Sequence, residues 1–116
     1  MRFLPHNLPE DVVATLTELG HTHEPVPPGD LQPLELFKLC RSRQAELLTT
    51  DGGLAEQASI ALLGKTRLAV HLREPVPGAV RKLFDRFKRL TPGRLYTATA
   101  SHAKVKQLAA RLDHGA

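Results

Sequence analysis

The amino-acid sequence predicts a three-layer α/β fold with a mostly parallel central sheet. Short apolar segments typical of strands alternate with longer segments whose apolar residues have helical spacing, and proline or glycine separates most of them. Such alternation is typical of parallel strands joined by helical crossovers. The length of 116 residues suits one domain. In such a sheet we expect ligands to bind beyond the carboxyl ends of the strands.

Three pairs of a strand and a helix are expected in the first half of the chain. Residues 1–4 predict a strand that stops at Pro5. Apolar residues then recur at helical spacing from Val12 until Gly20, which is an expected helix-ending glycine. The other elements expected in this half are a short strand over 21–26, a helix over 31–43, a strand over 46–50 and a helix over 54–63.

The second half is expected to continue with a strand over 66–72 and an amphipathic helix over 79–90. The alternation over 94–108 predicts a hairpin of strands at the edge of the sheet. Residues 103–112 are also rich in good helix formers, so a short helix there is the rival interpretation. The apolar stripe of the amphipathic helix consists of Val80, Leu83, Phe84, Phe87 and Leu90.

The composition argues against several classes of protein. The single cysteine, Cys40, has no partner for an intramolecular disulfide and cannot form a thiolate zinc cluster. The longest apolar runs are far shorter than the roughly 20 residues of a membrane span, and Pro5 interrupts what would be the apolar centre of a signal peptide. We therefore expect a cytoplasmic protein with no membrane partner. Five aromatic residues and no Trp argue against a stacking platform for single-stranded nucleic acid.

Charge is distributed unevenly along the chain. Residues 1–63 hold four Lys or Arg and nine Asp or Glu, a balance of −5, whereas residues 64–116 hold twelve and three, a balance of +9. Such polarity suits a protein that gathers a cation on one face and approaches a phosphate backbone with another. If the two halves interleave in space, the difference averages out over the surface, and the sequence leaves both arrangements open.

Basic residues around the amphipathic helix are the best candidates for contacts with a partner. Lys82, Arg86 and Arg89 recur at i, i+4 and i+7, so a helix through residue 90 would place them on one side. With Arg73 and Arg94 they could contact several phosphates of RNA or another polyanion. The alternative is a solvated helix face. The apolar stripe could serve the core, a homodimer or the helix of a small antitoxin protein.

Four short segments give the chain a resemblance to a known family. They are the opening Met-Arg-Phe-Leu-x-x-Asn-Leu-Pro, Glu18-Leu19-Gly20-His21, Leu47-Leu48-Thr49-Thr50-Asp51 and Val105-Lys106-Gln107-Leu108. Together they resemble the small PIN-like proteins related to VapC-type toxin ribonucleases, over nearly the whole chain. The resemblance implies an acidic cluster at the carboxyl end of the sheet, holding magnesium or manganese for RNA cleavage, and often a small antitoxin partner.

The acidic positions of that family are poorly matched. Where its opening motif has Asp-Glu before Asn-Leu-Pro, this chain has Pro5 and His6. The acid pair expected at the head of the second helix is reduced to Glu35, one position later. Asp51 matches the first acid after the third strand, but Gly53 replaces the second. Asp51 and Glu35 are therefore the candidate catalytic residues.

These residues offer two interpretations of a metal site. Magnesium needs one or two carboxylates, and a two-metal phosphodiester mechanism needs carboxylates that bridge ions about 4 Å apart. His6 beside Asp51 would instead suit manganese, zinc or another borderline metal. The alternative is that the site has decayed. His21 and His23, two apart on an expected strand, are a further candidate ligand pair.

The functional expectation is a PIN-like domain that is catalytically impaired and acts by binding nucleic acid or an antitoxin. One alternative is an active Mg- or Mn-dependent endoribonuclease whose altered site recruits Asp51, Glu35, Glu10 or Asp11. A second alternative is a dimeric or partner-binding scaffold without enzymatic activity. Metal-dependent cleavage would separate the first two, and salt-sensitive RNA binding would separate the first from the third.

Overall fold

The computed structural model describes residues 1–26, 31–61 and 67–107. Strands and helices alternate along most of this chain, which confirms the predicted α/β class. The elements are β1 (Arg2–His6), α1 (Glu10–Glu18), β2 (Thr22–His23), α2 (Pro33–Arg43), β3 (Glu46–Thr49), α3 (Gly52–Ala61), β4 (Ala69–Leu72), α4 (Pro77–Arg86), β5 (Arg94–Ala98) and β6 (Ala103–Gln107).

A six-stranded sheet lies at the centre, in the order β2-β1-β3-β4-β5-β6. The strands β1 to β5 are parallel, and β6 is antiparallel to β5. The chain passes from β1 to β2 on one side and then crosses to β3 on the other side of β1. The direction of strand order therefore reverses between β1 and β3, the place where open α/β sheets form a crevice at their carboxyl ends.

Helices cover both faces of the sheet and make the three predicted layers. The helices α1 and α4 pack on the face that carries Phe3, Leu48 and Tyr96. The helices α2 and α3 pack on the opposite face, with Leu4 and Leu47. Because successive strand residues point to opposite faces, both clusters draw on the same strands. All four residues of β3 are buried, as expected for a parallel strand covered on both sides.

The amphipathic helix is shorter than predicted. It ends at Arg86, and Phe87 has extended backbone angles, so the expectation of a helix through residue 90 is wrong. The apolar side chains beyond the end still face the core, because the Phe87 ring packs edge-on against Tyr96 and Leu90 is buried. The Tyr96 hydroxyl accepts the Thr91 amide at 2.9 Å. The apolar spacing that predicted a helix through residue 90 therefore continues, beyond Arg86, in a segment that is not helical.

The hairpin at the edge of the sheet is confirmed. Five residue pairs join β5 to β6, from Ala98 opposite Ala103 to Arg94 opposite Gln107. The rival helix is therefore wrong for residues 103–107, and 108–112 lie outside the described residues. The third helix starts two residues earlier than expected, at Gly52, and the second strand contains only Thr22 and His23.

The strand order keeps the two halves of the chain apart. The strands β2, β1 and β3 come from residues 1–63, and β4, β5 and β6 come from residues 64–116. Within the sheet, the half with a charge balance of −5 therefore lies beside the half with +9, without interleaving of their strands.

Candidate functional site

The two polar segments expected at the carboxyl end of the sheet do lie there together. His6 ends β1, Asp51 follows β3, and His6 is the register partner of Thr49 in the neighbouring parallel strand. The residue after His6, Asn7, has a positive φ of 57°. This left-handed conformation, which Asn tolerates better than most residues, turns the chain away from β1 toward α1.

The buried hydroxyl of Thr49 connects these two segments. Its Oγ1 accepts the backbone N–H of Asp51 at 3.1 Å and lies 2.9 Å from Nδ1 of His6. The Thr49 hydroxyl can both donate and accept, so a single side chain links the end of β1 to the start of α3. The His6 ring is oriented by this contact.

Asp51 has a structural role that accounts for its position. Its Oδ1 accepts the backbone N–H of Leu54 at 3.1 Å, and its carbonyl accepts the N–H of Ala55. These are the contacts of a helix N-cap, which satisfy amides at the start of α3 that have no partner within the helix. The same carboxylate also complements the positive end of the helix dipole.

A side chain of the next strand lies close to Gly52. His71 is the register partner of Thr49, and its ring lies against the first turn of α3. A Cβ at position 52 would lie 2.7 Å from Cε1 of His71, closer than side-chain carbons approach. This contact was not predicted from the sequence, because Gly52-Gly53 is also typical of a turn.

The other candidate acids lie exposed at the starts of helices. Glu10 and Asp11 are in the first turn of α1, and Glu35 is in the first turn of α2. Both helices follow parallel strands, so these acids point to the same end of the sheet as Asp51. Among residues 1–26, 31–61 and 67–107, no group of three or more His, Cys, Asp or Glu side chains could hold a metal ion. The described residues at this end therefore offer no metal centre built from three or more protein ligands.

An open cleft borders this end of the sheet, and most of its lining residues are apolar. Pro5, Leu8 and Pro9 line it near the start of α1, and Thr50 contributes a hydroxyl that donates to the Asn7 carbonyl at 3.4 Å. None of its described lining residues is cationic. The cleft is therefore poorly suited to a phosphate group.

His21 packs as an aromatic residue, and it does not share a strand with His23. It precedes β2, and its ring stacks on Phe84 with centroids 4.2 Å apart and meets Phe3 edge-on. The expectation that both histidines lie on one strand is wrong. Burial, and the nearby N-terminal ammonium group, lower the pKa of His21 below its usual value of 6.5. Its Nδ1 is buried without a hydrogen-bond partner among the described residues.

A buried ion pair lies at the opposite, amino end of the sheet. Glu46 begins β3, and its carboxylate accepts the Arg67 guanidinium and the Leu68 amide, each at 2.8 Å. Burial raises the pKa of Glu46 despite these bonds. Burial, and the charge of Glu46, also raise the pKa of the Cys40 thiol to about 12. This buried thiol is therefore a poor nucleophile.

The predicted RNA-binding residues do not form one cluster. Arg73 follows β4 at the carboxyl end of the sheet, whereas Arg94 begins β5 at the amino end. Between them α4 carries Lys82 midway and Arg86 in its last turn. Arg89 lies beyond the end of α4, so the prediction that it shares a helix side with Lys82 and Arg86 is wrong.

Four cations lie between the last turn of α4 and the first residue of β5, the part of the chain that reaches the amino end of the sheet. We call this the amino-end basic surface, and it consists of Arg86, Lys88, Arg89 and Arg94. Across the described chain none of the four forms a salt bridge. By contrast, Arg81 on the same helix pairs with Glu18 at 2.6 Å. Arg86 lies 5.0 Å above the Phe87 ring, a cation–π contact that orients its guanidinium.

No described helix is long and apolar enough to cross a membrane. Comparison with protein-family models, with curated proteins and with solved structures found no match to this chain.

Proposed function

We propose that this protein is a PIN-like RNA-binding protein that contacts RNA phosphates through the amino-end basic surface. The observation that carries the proposal is the group of four cations without carboxylate partners in the described chain, at one end of the sheet. Arginine presents a planar fork of donors that matches phosphate oxygens, and three of the four are arginines. The choice of RNA follows from the resemblance to PIN-like ribonucleases.

The aromatic residues favour contacts with the RNA backbone over contacts with unstacked bases. All five aromatic side chains lie in described segments, and none is exposed: Phe3, Phe37 and Tyr96 are buried, and Phe84 and Phe87 are partly buried. Recognition of single-stranded RNA usually relies on exposed aromatic rings that stack on bases. We therefore expect binding to structured RNA with little dependence on base sequence.

The described residues at the carboxyl end of the sheet give little support for metal-dependent cleavage. Asp51 already caps α3, and the described residues include no group of three or more His, Cys, Asp or Glu that could hold a metal. An active metal-dependent ribonuclease would need carboxylates that converge on its ions. The proposal therefore assigns the function to the opposite end of the sheet from the site that the family resemblance implies.

The test is the salt dependence of RNA binding. Affinity for a labelled RNA duplex is measured by fluorescence anisotropy at several salt concentrations, for the wild type and for Arg86→Gln/Arg89→Gln. We expect the variant to bind more weakly to unrelated sequences alike. Its slope of log affinity against log salt should flatten by roughly one unit for each phosphate that the variant no longer neutralises.

A matched control removes the same charge elsewhere. Lys38→Gln/Arg73→Gln neutralises one cation on α2 and one at the carboxyl end of the sheet, both exposed. The proposal predicts that this variant keeps the wild-type slope. If the two double variants weaken RNA binding equally, only the net charge of the protein matters and the proposal is wrong. If Arg86→Gln/Arg89→Gln binds RNA like the wild type, these arginines do not contact RNA and the proposal is also wrong.

A further inference from the structure

The two edges of the sheet differ in what they offer to another chain. At one edge β2 contains only two residues and is soon followed by Pro25. At the other edge β6 has five residues and no proline, and no described residue pairs with its outer side. A long unpaired edge strand is a template on which a further strand can form.

The hydrogen-bond pattern shows which backbone groups of β6 point outward. The Thr99 amide donates to the His102 carbonyl at 2.7 Å, which makes these residues a bonded pair at the turn. Bonded and non-bonded pairs alternate along an antiparallel ladder. Lys104 and Lys106 are therefore bonded to β5, and the N–H and C=O groups of Val105 point away from it, toward the open edge.

The side chains of β6 are charged on one face and apolar on the other. Lys104 lies opposite Thr97 and Lys106 lies opposite Leu95, which places both lysines on the face covered by α2 and α3. Both are exposed. Val105 lies opposite Tyr96 on the other face and is 38% exposed. A strand added here would meet two positive charges flanking one apolar position.

We propose that β6 accepts an extended acidic segment of a partner protein as an additional strand of the sheet. Edge lysines discourage pairing with neutral strands, but an acidic strand neutralises them. A second copy of this chain is the wrong partner, because two β6 strands paired about Val105 would place Lys104 opposite Lys106. Specificity comes from alternating acidic and apolar residues, and affinity from the outward backbone groups of Val105.

The probe is a labelled, end-blocked peptide of alternating glutamate and valine, Glu-Val-Glu-Val-Glu-Val-Glu. We expect saturable binding to the full chain by fluorescence anisotropy, and slower hydrogen exchange of the Val105 amide when the peptide is bound. V105P removes the outward donor without removing a bond to β5, and should weaken binding about tenfold. V105T, which keeps the donor, should bind like the wild type.

Charge is tested separately. Lys104→Gln/Lys106→Gln should weaken peptide binding, and Lys38→Gln/Arg73→Gln, which removes the same charge, should not. Hydrogen exchange of the Val105 amide is measured on the wild type, so this measurement decides the proposal even if V105P does not fold. The proposal fails if the peptide does not bind, or if its binding leaves exchange of the Val105 amide unchanged. It also fails if duplex RNA protects that amide as strongly, because β6 would then belong to the RNA surface.

Discussion

Asp51 illustrates how a single carboxylate can be assigned two different roles. Its place in the sequence, after an apolar strand and a threonine pair, predicts a metal-binding role by resemblance to PIN-like ribonucleases. In the structure its Oδ1 accepts the Leu54 amide, and its own amide donates to the Thr49 hydroxyl. Aspartate is among the preferred N-cap residues, so helix capping alone is sufficient reason for its presence.

The capping role predicts a loss of stability without a loss of function. Asp51→Ala leaves the Leu54 amide without its acceptor and should lower the free energy of unfolding by roughly 1 kcal/mol, and Asp51→Asn by much less. Urea denaturation followed by circular dichroism measures both values. RNA binding by folded Asp51→Ala should equal that of the wild type. Robust magnesium-dependent RNA cleavage that disappears in Asp51→Asn would contradict this assignment and indicate a catalytic carboxylate.

At the scale of elements, the turn between α1 and β2 helps to fix the position of α4. His21 stacks on Phe84 of α4 while both rings contact Phe3 of β1 edge-on. A neutral imidazole suits this apolar contact. Protonation would place a charge next to the N-terminal ammonium group and at a buried nitrogen that has no partner among the described residues.

The lowered pKa of His21 predicts a loss of stability in mild acid. The folded state binds the proton less readily than the unfolded state, so the contribution of His21 is fully present above about pH 6.5 and declines as pH falls below that value. Urea unfolding between pH 7 and 5 should therefore show a smaller loss for His21→Phe than for the wild type. His23→Gln, at an exposed neighbour, is the control. A wild-type pH profile in His21→Phe would show that other groups cause the decline.

The ends of elements were harder to predict than the elements themselves. Helical spacing indicated a helix through residue 90, because Phe87 and Leu90 do face the core. They do so from a loop that packs on Tyr96, an arrangement that depends on a strand later in the chain. For residues 103–107 the helix propensity of Ala, Lys and Gln competed with pairing to β5, and the ladder prevailed.

At the scale of the whole molecule, parallel topology sorts charge between the two ends of the sheet. The first turns of α1 and α2 hold Glu10, Asp11 and Glu35, and the last turns of α2 and α4 hold Arg41, Arg43 and Arg86. Each placement complements the helix dipole. Because these helices run antiparallel to the strands, the acids gather at the carboxyl end and the bases at the amino end.

The sequence predicted the fold class, because apolar periodicity and breaks at proline and glycine are local signals. It also predicted that His6 and Asp51 would lie at the same end of the sheet, since both follow strands. It did not predict that Arg73 and Arg94 lie at opposite ends, because that depends on the direction of β4 and β5. Contacts such as His71 against Gly52 have no local signal at all.

The most direct test of the central claim is to map where RNA contacts the protein. Isotope-labelled protein is titrated with an RNA duplex, and changes in amide chemical shifts are followed by NMR. We predict that the largest changes occur at residues 86–94, around the amino-end basic surface, while the amides of His6 and Asp51 remain unchanged. Changes concentrated at His6, Asp51 and the start of α3 would contradict the account and place RNA at the carboxyl end of the sheet.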